Sequence, residues 1–138
     1  MRLASLDYAI GGRSLHRELN ASAIHIALLE IDDDLRQRLL SGQKIEPPDR
    51  RSAAAIAIHV FMRVRRDYQF HRNSAEATQD EVIGQIANAI WAVPEMIVED
   101  FARKPPGPRT AATHYIAREI FRALTAAFKP VYVQADHG

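Results

Sequence analysis

Seven prolines limit where helices can run in this chain of 138 residues. Proline has no amide hydrogen and clashes with the carbonyl four residues back, so it fits the first turn of a helix but not its interior. The Pro47-Pro48 pair, Pro94, the KPPGP segment at 104–108 and Pro130 therefore separate the chain into helix-sized pieces. Within those pieces apolar residues recur every three or four positions, which is the period of an α-helix.

This pattern predicts an all-α fold, an irregular bundle of four main helices plus a short helix after Pro94. The length is that of one domain, so a single helical domain over residues 1–138 is expected. The main helices are predicted at 14–41, from Pro48 or Asp49 to about His71, from about Thr78 to Trp91, and at 108–129.

Capping residues indicate several of these boundaries. Ser14 and Gly42 flank the first predicted helix, and Thr78 with Glu81 has the spacing of a capping box at the start of the third. Pro130 ends the last helix. Beyond it, segment 131–138 is either a short extended tail or frayed chain. If segment 2–10 is also extended, the two termini are expected to pair.

The first predicted helix carries apolar residues on two faces. Ile24, Leu28, Ile31, Leu35 and Leu39 fall on one face, and Leu15, Leu19, Ile26 and Leu29 fall on another. Two apolar faces are typical of a central helix, or of one that another subunit covers on its second side. We therefore predict a homodimer that shares the first or the second helix.

Segment 79–101, QDEVIGQIANAIWAVPEMIVEDF, raises the question of what Pro94 does. The segment resembles the helix-turn-helix of bacterial transcription factors, with Ile86-Ala87 in the first helix and Ile97 as the buried aliphatic residue of the second. That resemblance implies binding in the major groove of DNA. However, Trp91 occupies the place of the turn glycine, and three acidic residues follow Pro94, where they would repel phosphates. We predict instead that one helix ends near Trp91 and that a short helix begins at Pro94 and packs on the core. A kink at Pro94 within one continuous helix is the alternative.

The second predicted helix contains a candidate nucleic-acid surface. His59, Arg63, Arg66 and Phe70 follow one another at spacings of four, three and four, opposite the apolar stripe. Cations bind phosphates, and an aromatic ring can stack on a base. Exposed arginines are also common on any solvated helix face, and 18 Lys+Arg against 17 Asp+Glu produce no general attraction to nucleic acid. Nucleic-acid binding is therefore an alternative hypothesis.

No metal or catalytic site is evident from residue spacing. None of the six histidines belongs to an HExxH or Glu-x-x-His pattern, and Asp67 with His71 supplies two ligands without a third. There is no cysteine, which excludes thiolate chemistry and disulfides. No phosphate-binding glycine loop or nucleophile elbow occurs. We predict no metal and no cofactor, and a small helical-bundle enzyme with an unidentified site is a second alternative.

The acidic run at 32–34 is predicted to be a solvated helix face. Successive helical residues rotate by about 100°, so the three carboxylates point in three directions and cannot form one cluster. Asp34 with Arg38 and Asp32 with Arg36 are predicted to be ion pairs within the helix.

Trp91 and Met96 are candidate interface residues, because they belong to the largest apolar and aromatic concentration and because Trp and Met are enriched at protein interfaces. The longest apolar run, 53–62, is about half the length needed to span a bilayer, and segment 1–12 lacks the features of a signal peptide. We therefore expect a cytoplasmic protein without a membrane partner. Its predicted function is that of a small non-catalytic regulatory or adaptor protein that contacts an unknown protein partner.

Overall fold

The computed structural model describes residues 18–103 and 106–133. Within them the chain forms six α-helices and three short β-strands. The helices are α1 Ala21–Leu29, α2 Asp33–Lys44, α3 Arg51–Val64, α4 Gln79–Trp91, α5 Glu95–Ala102 and α6 Pro106–Ala127, and the strands are β1 Tyr68–Arg72, β2 Ala75–Glu76 and β3 Lys129–Tyr132. The fold is mostly helical, as the apolar spacing predicts, and it also contains a small three-stranded sheet that the all-α prediction did not include.

The predicted first helix, 14–41, is two helices in the structure. Its predicted start lies outside the described residues, and α1 begins after Asn20, whose side chain accepts hydrogen bonds from first-turn amides. α1 ends at Leu29. Asp32 then begins α2 by accepting a hydrogen bond from the Leu35 amide at 2.8 Å. The acidic run starts a helix because a carboxylate at the N-cap binds a free amide and the acids that follow face the positive end of the helix dipole.

Gly42 does not end a helix, contrary to its predicted role, because α2 continues to Lys44. The backbone carbonyl of Asp49 lies against Gly42 in the space that a Cβ would occupy. The Asp49 amide also donates a hydrogen bond to the Gly42 oxygen at 2.9 Å. The missing side chain therefore lets the connector between α2 and α3 return onto α2.

The predicted second helix ends at Val64, well before His71. Strand β1 follows, and a turn at Asn73 and Ser74 reverses the chain into β2. Both turn residues have positive φ, 55° and 70°, as a two-residue hairpin turn of type I′ requires. The apolar spacing did not predict strand β1, because Tyr68 lies four residues after Val64 and so also continues the apolar stripe of a helix.

Strand β3 completes an antiparallel sheet in the order β2-β1-β3. It pairs with β1 from Tyr132 opposite Tyr68 to Lys129 opposite His71. The first residues of the predicted tail at 131–138 are thus extended. Residues 134–138 and segment 2–10 lie outside the described residues, so their predicted pairing stays a prediction.

Several predicted boundaries are confirmed. Thr78 and Glu81 form a reciprocal capping box at the start of α4, and α4 ends at Trp91. Pro94 is the N-cap of α5, which packs on α2 and α6 as predicted. The last helix is close to its predicted range of 108–129, at Pro106–Ala127.

The core is organised around α6, which contacts α1, α4, α5 and β3. The largest fully buried side chains of the core come from several helices and include Ile24, Leu28, Ile56, Val60, Ile86, Ile90, Phe101, Ile116, Ile120 and Leu124. On the second apolar face predicted for the first helix, Leu19 is buried, but Ile26 and Leu29 are about half exposed. The described chain therefore leaves that face of α1 partly uncovered.

Candidate interaction surface

The four residues of the predicted nucleic-acid ridge lie in three different environments. His59 and Arg63 are on α3, and both contact Glu30 at the end of α1. His59 Nε2 lies 3.1 Å from Glu30 Oε1, and Arg63 donates a hydrogen bond to Glu30 Oε2 at 2.6 Å. Arg66 is exposed in the turn after α3. Phe70 is in β1 and only 2% exposed.

Phe70 cannot stack on a base from this position, so its predicted place in the ridge is wrong. Its ring packs edge to face on Phe128, with the centroids 6.1 Å apart. Because helix α3 ends at Val64, a spacing of four residues no longer places Phe70 on the same face as Arg66. No continuous ridge of these four residues exists.

The contacts of Glu30 identify a different surface, which joins α1 to α3. Ile26 lies one helical turn before Glu30, so the two share the outer side of α1. Ile58 and Met62 lie on the outer side of α3, next to His59 and Arg63 in sequence, and both are about half exposed. The α1–α3 surface, as we name it, consists of Ile26, Leu29, Glu30, Ile58, His59, Met62 and Arg63.

The α1–α3 surface combines apolar flanks with a charged centre. It contains four of the six large apolar side chains that are exposed in the described residues. Burying a whole aliphatic side chain contributes about 1.5–3 kcal/mol, so covering the exposed half of each contributes about 1 kcal/mol. The centre carries one acid and two bases, so both signs of charge are present. Such a surface is suited to protein contact.

Trp91 and Met96 lie on either side of the corner between α4 and α5. Met96 is 72% exposed. Trp91 is half-buried, and the Arg50 guanidinium lies 5.3 Å from its ring centroid while donating a hydrogen bond to Asn88 at 2.8 Å. Met96 is therefore free for a contact with another protein, whereas Trp91 already has a cation–π partner within the chain.

A groove of about 530 Å³ lies between α2 and α3. Arg51 at its edge hydrogen-bonds both carboxylate oxygens of Asp49 and lowers the pKa of that carboxyl to about 2. The predicted ion pair of Asp34 with Arg38 is confirmed at 2.9 Å, and Arg38 also lines the groove. Both cations are therefore paired with carboxylates, and the groove is lined by polar and apolar residues in similar measure, among them the exposed Ile45.

A buried arginine, Arg36, lies at the corner between α1 and α2. Arg36 is 3% exposed and donates hydrogen bonds to Asp33 and to the Leu28 carbonyl, both at 3.1 Å. Its predicted pairing with Asp32 is wrong, because Asp32 caps α2. Arg109 of α6 also binds Asp33, at 2.9 Å. Burial, and next the charge of Arg109, lower the pKa of Arg36. These groups bind one another and hold the corner together.

In the described part of the chain, no group of three or more His, Asp or Glu residues could hold a metal ion. Asp67 and His71 do not have the helical spacing expected from the sequence, because Asp67 is in the turn after α3 and His71 is in β1. His71 Nε2 lies 3.1 Å from Gln69 Oε1. Among the same residues, no helix combines the length and the apolar character needed to cross a bilayer.

No protein-family model, curated protein or solved structure matches this chain.

Proposed function

We propose that this chain is a small cytoplasmic regulatory or adaptor protein that acts by protein–protein contact without catalysis, and that it forms a homodimer through the α1–α3 surface. The observation that carries the proposal is that four half-exposed apolar side chains belong to the two helices that the Glu30–Arg63 ion pair joins. Contiguous exposed apolar surface is uncommon on a soluble monomer and is typical of an interaction site. Helix α1 lies in the first predicted helix and α3 in the second, and the sequence predicts that the dimer shares one or the other.

A second copy of the chain suits this surface because its centre carries both signs of charge. In a two-fold interface the same patch meets itself, so every residue contributes twice. Glu30 of one copy can then face Arg63 of the other, while Ile58 and Met62 pack around them. A centre with cations alone would repel its own copy.

Contact with a different protein is proposed at the corner between α4 and α5, through Met96 with Trp91 beside it. A highly exposed methionine is adaptable in shape and favourable to bury. An adaptor needs separate sites for self-association and for its partner, and these residues lie on other helices than the α1–α3 surface.

The two methionines provide a matched test of the dimer. Met62→Glu should raise the dimer dissociation constant at least about thirtyfold, because each interface loses about 1 kcal/mol at two positions and must also bury two carboxylates. Met96→Glu makes the same chemical change elsewhere and should leave the dimer intact. Sedimentation velocity at tens of micromolar, with circular dichroism to check folding, measures both effects. A monomeric wild-type protein, or equal effects of the two substitutions, contradicts the proposal.

The alternatives have less support. For nucleic-acid binding, Arg66 remains exposed, but Arg63 is paired with Glu30 and Phe70 is buried. For an enzyme, the one buried charged side chain of the described residues, Arg36, is already bound to Asp33 at the α1–α2 corner.

A further inference from the structure

Two histidines that the proposed function does not use are in contact between α1 and α6. The rings of His25 and His114 stack with their centroids 3.9 Å apart and their planes inclined by 10°. His25 Nδ1 is buried and has no hydrogen-bond partner. A protonated ring would need an acceptor at this atom, so the arrangement favours a neutral His25.

The parallel rings do not suit a metal ion. The lone pair of an imidazole nitrogen lies in the plane of its ring, and a metal bound by two histidines must lie close to both planes. Nearly parallel stacked planes have no such common point. The contact is therefore better explained by proton binding than by metal binding.

The charges around the stack do not include a carboxylate partner for either ring in the described residues. On α6, Arg118 follows His114 by one turn, and Arg109, which precedes it, is bound to Asp33. From α3, His59 and Arg63 bind Glu30, at the end of α1. Burial, and next the charge of His114, lower the pKa of His25.

We propose that the His25–His114 stack is a pH-sensitive latch between α1 and α6, closed while both rings are neutral and loosened in acid. Protonating both rings would place two like charges in direct contact. The folded protein then binds fewer protons than the unfolded chain, so the stabilisation is complete above about pH 6.5 and decreases as the pH falls through that value. Because α1 also carries Ile26 and Leu29, acid would act on the α1–α3 surface, but the latch does not require a dimer.

Histidine-ring NMR titration of the intact protein is the first test. We expect the midpoint of His25 to lie below its midpoint in the urea-unfolded chain. His114→Phe keeps a ring in the stack and removes its charge, so it should move the His25 midpoint upward. A wild-type His25 midpoint equal to that of the unfolded chain would overturn the proposal without the need for any variant.

Urea unfolding at pH 7.5 and pH 5.5 is the second test. His25→Phe keeps an aromatic ring that does not titrate. When the pH is lowered from 7.5 to 5.5, the equilibrium constant for unfolding should increase more in the wild type than in His25→Phe. The difference should be up to about tenfold, because that is the limit for one histidine that stays neutral in the folded protein. His71→Phe, in β1, is the control and should retain the wild-type response. An unchanged response in His25→Phe contradicts the latch.

Discussion

Two corners of the chain have the same backbone conformation but different sequences. One joins α1 to α2, and the other joins α4 to α5. The first helix of each pair ends with a C-cap residue in the right-handed α conformation. This residue is Glu30, with φ −81° and ψ −10°, at the end of α1, and Ala92, with φ −81° and ψ −7°, at the end of α4. A buried β-branched residue follows, Ile31 or Val93. In both corners its amide donates to the carbonyl three residues back at 3.2 Å.

The two corners differ in how they begin the next helix. Asp32 uses its carboxylate to bind a first-turn amide, whereas Pro94 makes no side-chain cap and supplies a restricted φ, here −58°. The residue four positions after the N-cap is buried in both corners. It is Arg36 in the first corner and Val98 in the second. The comparison shows that either polar bonds or apolar packing can stabilise one turn geometry, provided that a buried aliphatic residue anchors it.

The largest effect is expected where the corners differ most. Arg36→Ala should lower the free energy of unfolding by about 3 kcal/mol, because it removes the bonds to Asp33 and Leu28 and leaves a cavity. Val98→Ala, at the equivalent position, should cost about 2 kcal/mol through lost burial and a smaller cavity. Urea unfolding at pH 7 measures both values. If Val98→Ala proves the more costly, the polar contacts of Arg36 do not stabilise the first corner.

One helix at each corner also contains an internal glycine, and the same substitution should have opposite signs at the two. Gly42→Ala in α2 should cost about 2 kcal/mol, because the new Cβ meets the Asp49 carbonyl. Gly84→Ala in α4 should add about 0.5–1 kcal/mol, because nothing lies within 4 Å of the new Cβ and alanine favours the helix. Thermal unfolding of the two variants checks this pair, and a stabilised Gly42→Ala would disprove the close approach.

Exchanging the N-caps should have the smallest effect. Asp32→Pro should change the free energy of unfolding by less than about 1 kcal/mol, because the φ of Asp32, −78°, suits proline and the lost cap is offset by a more restricted unfolded chain. Pro94→Asp should be tolerated equally. In an unbroken helix over 14–41, Asp32→Pro would cost about 3 kcal/mol or more. Urea unfolding distinguishes these outcomes, and a loss of that size would contradict the break between α1 and α2.

The candidate surface could be predicted only in part. Helical spacing identified His59 and Arg63 as neighbours on one face, and this relation is present on α3. It did not identify Glu30, because the contact joins residues that lie 29 and 33 positions apart in the chain. It also assigned Phe70 to a helix, whereas pairing of β1 with β3 places that residue in a strand.

The sequence by itself determined the ends of α4, the start of α5 and the approximate extent of α6. Proline sterics and capping hydrogen bonds act within a single helical turn, so the residues that decide these boundaries are next to one another. Tertiary structure decided the break at Asp32, the strand at Phe70 and the position of Gly42 inside α2. At those positions local sequence allows two conformations, and burial of Ile31, sheet pairing and backbone contact with distant segments select one.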